Sequence, residues 1–343
     1  MIGMKKLSLL ILGFLLFSFP VKAITNSASS YIVLEATTNR VLEGNQMNTQ
    51  YLVASTAKIM TAITAIENYD LNEEIKVTKA DTTEVGSKVY LKENEILTRK
   101  ELLYALMLRS ANDAASALSN NNSKDFIKKM NETAKKIGMK NSVFVNASGL
   151  DEKEYNLSTA YDMALLSSYA SKNKAFVSIA SAHSFSCSTK ESNYTWHNKH
   201  RLVSNDNDFL WGKTGYTKKS KRILVSNYVK ENKNLILVTI NDGNDWNHHK
   251  ALAHDNSKYS FVTIFKKGVY DTKKDVSYYI HIPNDIVIPI KKNEKEDISI
   301  TFKLYKDFAV LEVFQNKTLI VRQNIEVYSK ETFDIDLVID IFK

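Results

Sequence analysis

Residues 53–66 read Val53-Ala54-Ser55-Thr56-Ala57-Lys58-Ile59-Met60-Thr61-Ala62-Ile63-Thr64-Ala65-Ile66. Ile59, Met60, Ile63 and Ile66 recur at helical spacing among Ala and Thr, which predicts a buried helix over Thr56–Tyr69. Ser55 and Lys58 stand at its start. A separation of three residues puts a hydroxyl and an amine on one helix face, within reach of each other. A serine hydroxyl is a weak nucleophile until an adjacent base takes its proton. A lysine amine is such a base only when uncharged, and at an ordinary pKa of ~10.4 about one in 2,500 is neutral at pH 7. Burial and neighbouring cations would have to lower that pKa. The helix N-terminus adds free N–H groups for a developing oxyanion. The spacing alone is weak, because Ser171 and Lys174 repeat it in a polar stretch.

Working outward, Ser30–Ala36 and Arg40–Glu43 read as two strands around a polar turn at Thr37-Thr38-Asn39. Lys100–Ser116 is predicted helical, with Leu102, Leu103, Leu106 and Met107 on one stripe. Lys124–Ile137 is an amphipathic helix stopped by Gly138, and Ser158–Ala170 another, with a Ser/Thr cap and Asp162 in its first turn. Strands are expected at Ile223–Val229 and Leu235–Asn241, then a helix from Asp245 to Phe265. After Gly268 the pattern changes. Val276–Ile282, Ile286–Ile290, Ile298–Leu304, Ala309–Phe314 and Thr318–Gln323 are short β-type runs, so residues 269–343 read as a separate all-β domain. Its last stretch alternates Phe333, Ile335, Leu337, Ile339 and Ile341 with Asp334, Asp336 and Asp340, the period of a strand rather than of a membrane-surface helix.

Composition narrows the classes. A chain of 343 residues that is 44% hydrophobic, with 10 Gly and 3 Pro, is neither disordered nor collagen-like. The single Cys187 excludes a disulfide framework and a cysteine-rich zinc site. The net charge of +8 suits nucleic acid, an anionic membrane or an anionic wall polymer equally. The N-terminus chooses among them. Lys5-Lys6, the apolar run Leu7–Phe19 and the small residue Ala23 describe a secretory signal peptide over residues 1–23, the apolar run being short of the ~20 residues of a membrane span. An exported chain is not expected to meet DNA or RNA, which leaves an anionic envelope polymer as the better match to its charge.

Two more features join Ser55 and Lys58. Ser110-Ala111-Asn112 closes one apolar helical stripe, although Ser119-Asn120-Asn121 is a second instance of the same pattern. Gly212-Lys213-Thr214-Gly215-Tyr216 precedes the strand pair and supplies a cation, a hydroxyl and, at Gly215, room for close backbone approach. The ordered set S-x-x-K, S-x-N and K-T-G matches the penicillin-recognising serine enzymes. With Ser30–Ala36, Ala54–Ala62, Arg109–Ala115, Met130–Leu150, Ser158–Leu166, Lys213–Thr217 and Leu235–Trp246, the chain resembles the D-alanyl-D-alanine carboxypeptidases of the low-molecular-mass penicillin-binding proteins over residues 30–265.

The resemblance implies an α+β fold, a helical cluster packed on an antiparallel sheet, here a catalytic domain over residues 24–268 followed by the small β domain. It implies Ser55 as nucleophile toward the carbonyl between the two D-alanines of a peptidoglycan stem peptide. Lys58 would be the base, with Ser110 and Lys213 relaying a proton to the leaving D-alanine. Asn112 would hold the substrate amide, Thr214 with Lys213 the terminal carboxylate, and the N–H groups of Ser55 and Tyr216, beside Gly215, the oxyanion. No metal or organic cofactor is implied, and β-lactams would acylate Ser55 as mimics of the terminal dipeptide.

Departures are visible. Ala57 stands where Thr is common, Leu157 where some members carry His, and Ser220-Lys221 where Ala-Gly is frequent, so that Lys221 is expected to crowd or recharge the rim of the cleft. Two alternatives stay open. A β-lactamase on the same fold would need a second base, for which Glu152 and Asn156 have suggestive spacing, but Ser-Ala-Asn departs from the Ser-Asp-Asn of that class. A non-catalytic wall-binding scaffold would not need Ser55, Lys58, Ser110, Asn112 and Lys213 intact. His248-His249 with His254 lacks metal-ligand spacing and reads as surface or core. Cys187 is expected to be a small hydrophobe on a strand, and Trp196 and Trp211 to pack in the core as readily as to line a cleft. Lys218-Lys219 and Lys221-Arg222 form a basic turn, solvated or in contact with anionic polymer.

Overall fold

Five antiparallel strands carry the site: β1 (Ser30–Glu35), β2 (Val41–Asn45), β3 (Phe209–Thr217), β4 (Lys221–Lys230) and β5 (Lys233–Ile240), in the order β2-β1-β5-β4-β3. The computed structural model describes residues 27–151, 154–255, 257–271, 278–292, 297–305, 308–329 and 338–340. The segment expected to be a signal peptide, Glu152 and Phe333–Leu337 therefore lie outside the described residues.

The central strands are apolar on both faces because both are covered. Ile32, Leu34, Ile223, Val225, Ile236 and Val238 pack into the helical core, whereas Val33, Leu224, Leu235 and Leu237 pack on the opposite side. The helical layer is built on α1 (Lys58–Asn68), entered through a 3-10 turn, Ala54–Ala57, and buried from Lys58 to Ala65. The helix expected through Lys100–Ser116 is broken. It becomes α2 (Arg99–Tyr104), a π-helical turn Ala105–Arg109, then Ser110 at a left-handed φ of 59°, and α3 (Asn112–Leu118). The apolar stripe is real, with Leu102, Leu103 and Leu106 fully buried, but periodicity does not report a single left-handed residue within it. α4 (Lys124–Ile137) and α5 (Ala160–Ser171) fall where expected, each with a side-chain N-cap, from Ser123 and Thr159.

A second correction concerns α6, which runs only from Asp245 to His254. Tyr259–Phe265, expected to continue the helix, is a strand paired with Ile286–Lys291, as its β-branched and aromatic content allows. β pairing thus begins ahead of the divide expected at residue 268. Gly268–Asp271, Tyr278–Ile282, Ile298–Leu304, Phe308–Gln315 and Thr318–Ser329 join a curled sheet around Phe265, Ile280, Ile282, Leu311 and Val313, and Val338–Asp340 pairs with it in parallel. The C-terminal region is all-β. Among the described residues no helix is long and apolar enough to cross a membrane.

Candidate active site

The 3-10 turn puts Ser55 at the start of α1, half-buried, with Lys58 one turn on and fully buried. Lys58 Nζ lies 3.0 Å from Ser55 Oγ and 2.7 Å from Asn112 Oδ1, and it donates to the backbone carbonyl of Ser148. A neutral amine has two N–H bonds and one lone pair. Asn112 Oδ1 and the Ser148 carbonyl can only accept, so together they take both hydrogens and leave the lone pair facing the Ser55 hydroxyl. Burial chiefly, with the charge of Lys199 second, brings the Lys58 amine down to about 7. About half of it is then uncharged at neutral pH.

Ser110 and Asn112 reach the site because the chain breaks between α2 and α3. The left-handed Ser110 turns its hydroxyl to Lys213 Nζ at 2.8 Å, and Lys213 also donates to the Thr214 carbonyl at 2.8 Å. Lys213 is 1% exposed, and burial, then Lys199 and Lys58, hold its amine well below the ordinary lysine value. Asn112 Nδ2 donates to the Val85 carbonyl at 2.5 Å, which fixes the amide so that its oxygen faces Lys58.

β3 forms the facing wall and, among the described residues, is an edge strand paired only with β4. A Cβ on Gly215 would lie 3.2 Å from the Val53 carbonyl oxygen and 3.3 Å from the Ala54 Cβ, so glycine is what lets this strand lie against the turn that presents Ser55. Between them opens a cavity of about 360 Å³ lined by Ser55, Ser110, Thr214, Gly215 and Tyr216, with Tyr216 63% exposed at its rim. All eight residues singled out in the sequence therefore meet at one place, Lys58, Asn112 and Lys213 just behind the cavity wall. The decoys do not join them. Ser171 bonds the Ser167 carbonyl and Lys174 is exposed, while Ser119 Oγ bonds Ala115 O within its own helix end.

Several contributors leave no sign in the sequence. Ser148 acts through its carbonyl, which side-chain identity does not report. Gly149 has φ +82°, and a Cβ there would stand 1.9 Å from the Ala54 carbonyl oxygen and 2.9 Å from Ser55 N. Gly149→Ala should therefore lower stability by roughly 3 kcal/mol or displace the Ser55 turn. Thermal melts and the rate of covalent penicillin labelling test this, and wild-type values in both would contradict it. Ala54 itself has φ +44°, a backbone state unusual for alanine and of the kind that collects at functional sites. Lys199, Arg201 and Arg222 add cations to the cavity. Lys199 reaches solvent, yet partial desolvation and Arg109 bring it down to about 8. Arg222 is gripped by Asp245 through Nε at 3.1 Å and Nη2 at 2.7 Å, a fork that fixes its plane.

The departures have structural accounts. Leu157 pairs with Leu52 in a two-residue strand. Lys221 adopts φ +59° in the exposed β3–β4 turn and does not line the cavity, so the expected crowding of the rim is not seen. Asn156, considered as a second base, is 3% exposed and spent on the loop: its Oδ1 accepts from Val145 N at 2.8 Å and its Nδ2 donates to Asn146 O at 2.9 Å. Trp196 and Trp211 are core residues. His248 and His249 are buried rather than exposed, with Nδ1 atoms 2.6 Å from Asp242 Oδ2 and 2.8 Å from Ser226 Oγ. Burial pushes the Cys187 thiol up to about 12, away from nucleophilic character.

A helical layer on a five-stranded antiparallel sheet, followed by an all-β region, is the architecture of penicillin-binding transpeptidase-type proteins. It matches DacD, a D-alanyl-D-alanine carboxypeptidase from Francisella tularensis, over 89% of this chain and 94% of that one at a TM-score of 0.67, with 20% identity, a likeness of fold alone. The family model described as D-alanyl-D-alanine carboxypeptidase matches residues 18–244. Similar sequences include the D-alanyl-D-alanine carboxypeptidase DacF of Bacillus subtilis, 27% identical over 321 residues that cover 85% of this chain and 82% of the relative. A D-alanyl-D-alanine endopeptidase of Haemophilus influenzae is 31% identical over 259 residues, 73% of this chain and 88% of that one. The chain belongs to the D-alanyl-D-alanine carboxypeptidase family.

Proposed function

We propose that the protein is an exported serine-type D-alanyl-D-alanine carboxypeptidase that trims the terminal D-alanine of peptidoglycan stem peptides through an acyl-enzyme on Ser55. The observation that carries this is the Lys58 amine, buried, about 7 in pKa, its hydrogens bound elsewhere and its lone pair 3.0 Å from Ser55 Oγ. Lys58 takes the hydroxyl proton as Ser55 Oγ bonds to the scissile carbonyl carbon. The oxyanion is met by the N–H of Ser55, in a first helical turn where N–H groups have no intrahelical acceptor, and by that of Tyr216. That proton passes from Lys58 through Ser110, bonded to Lys213, to the departing D-alanine nitrogen as the C–N bond breaks, which leaves Lys58 neutral again. Asn112 holds the substrate amide. Thr214 and Lys213 hold the terminal carboxylate, and Arg222, clamped by Asp245 beside them, turns its remaining guanidinium edge to the same charge. Water, deprotonated by Lys58, then releases the shortened peptide. β-Lactams stop at the acyl-enzyme. The basic rim is suited to an anionic envelope polymer.

Release of D-alanine from diacetyl-lysyl-D-alanyl-D-alanine is the direct test, and no release by fresh enzyme would favour a non-catalytic scaffold. Stopped-flow with a fluorescent penicillin separates the β-lactamase reading: a long-lived adduct supports the carboxypeptidase, rapid turnover the lactamase. Relatives carry both carboxypeptidase and endopeptidase names, so a cross-linked muropeptide dimer belongs in the same assay. Lys213→Ala should weaken carboxylate recognition and raise KM by about tenfold or more. Unchanged KM and kcat would remove Lys213 from the site.

A further inference from the structure

We propose that Asp151 is a positioning residue, tying the loop behind Ser55 to the strand that carries Lys213–Tyr216 and so holding the cleft at working width. This rests on the carboxypeptidase reading and adds to it a device outside the reacting groups. The loop closes at its base through paired backbone bonds between Val143 and Leu157, at 2.9 and 3.0 Å. Asn146 and Asn156 brace its interior, Ser148 offers its carbonyl to Lys58, and Gly149 backs the Ser55 turn. Its outer end meets the end of β3 and the turn that follows. Asp151 Oδ2 accepts from Thr217 Oγ1 at 2.5 Å, and Lys219 Nζ donates to the Asp151 carbonyl at 3.0 Å and to Tyr155 Oη at 3.2 Å, 4.8 Å from the Tyr155 ring centroid.

The far side of the tie is itself fixed. Thr217 Oγ1 has one proton, which goes to Asp151. Its lone pairs accept from Ser220 N at 2.9 Å, while Ser220 Oγ accepts from Thr217 N at 3.0 Å. Ser220 is 7% exposed, so the turn is held from within. The tie matters because, among the described residues, β3 is bonded to a strand on one side only. An edge strand has no second neighbour to set its distance from what faces it. Here that distance separates Tyr216 N from Ser55 N, the pair that would bind the oxyanion. Asp151 supplies the missing constraint two residues beyond Gly215. Substrate binding through Thr214 and Arg222 tolerates a looser wall better than transition-state geometry does.

Asp151→Ala, Thr217→Val, the double variant and Asp151→Asn test this in the full chain. Each single variant should lower kcat for D-alanine release about tenfold, with KM within about twofold. The double variant should be no slower than either single one, since both cut the same bond. Asp151→Asn, which keeps a carbonyl acceptor, should recover most of the loss. Wild-type kcat in both single variants, losses that multiply in the double variant, or a loss carried by KM would overturn the tie. Should Asp151→Ala fail to fold, Thr217→Val decides from the other side. Amide hydrogen exchange over residues 146–151 gives a readout independent of activity: removal of the tie speeds it about tenfold or more, and unchanged exchange counts against the proposal. A wild-type protein that releases no D-alanine defeats the carboxypeptidase reading instead, and the exchange measurement still judges the tie.

Discussion

Ser55→Ala should abolish D-alanine release and covalent penicillin labelling together, with kcat falling by about 10³-fold or more. The paired loss is the informative part. Ser55 is the hydroxyl that the Lys58 lone pair faces, and its turn is flanked by Ala54, Thr56 and Ala57, none of which can replace it as a base-activated nucleophile at the cavity. Thr56, the next hydroxyl along the chain, is 0% exposed and donates to the Val53 carbonyl. Removing one half-buried Oγ leaves the core of α1 untouched, so the variant should melt close to wild type. Mass spectrometry of penicillin-treated protein is the check. Label persisting on the alanine variant would mean that another residue is the nucleophile.

Lys58→Met should lower kcat by about 10²- to 10⁴-fold, the usual worth of a positioned base, and should gain stability relative to wild type as pH falls from about 10 to 7. The sign follows from linkage. The folded-state pKa of Lys58, about 7, lies below the ordinary lysine value of 10.5, so unfolding between those limits releases an amine that takes up a proton. Stability attributable to Lys58 therefore falls as pH drops from about 10.5 to 7, and changes no further below that, where the native amine is protonated as well. The full penalty is on the order of 5 kcal/mol. Against it stand the Asn112 and Ser148 acceptors that methionine would strand, at roughly 1–3 kcal/mol each. The difference in melting temperature between variant and wild type should thus move in favour of methionine as pH falls from about 10 to 7. A difference that does not move with pH would show that this amine is not desolvated. In the wild-type enzyme, kcat/KM should rise with pH through about 7 as the base becomes neutral.

Much of this was legible before any folding. α4 and its stop at Gly138 follow from an amphipathic period with a capping serine ahead of it, and the strand pair Ile223–Val229 and Leu235–Asn241 from runs of β-branched residues. The failures have equally local causes. The break at Ser110 hides in an unbroken apolar stripe, because burial conserves the stripe while a left-handed φ redirects the chain. The end of α6 at His254 is hidden because Tyr259–Phe265 satisfies either period over so short a run.

The sequence by itself determined the chemistry on offer: a hydroxyl and an amine one turn apart, a Ser-x-Asn, and a Lys-Thr-Gly before a strand, in an order that marks the family. Order along a chain carries no distance. Only tertiary packing decided that Lys213 reaches Ser110, that two acceptors from distant segments claim the hydrogens of Lys58, and that this amine loses its water. A pKa belongs to an environment rather than to a residue, and that environment exists only once α1, the Ser148 loop and the β3 edge have closed around it.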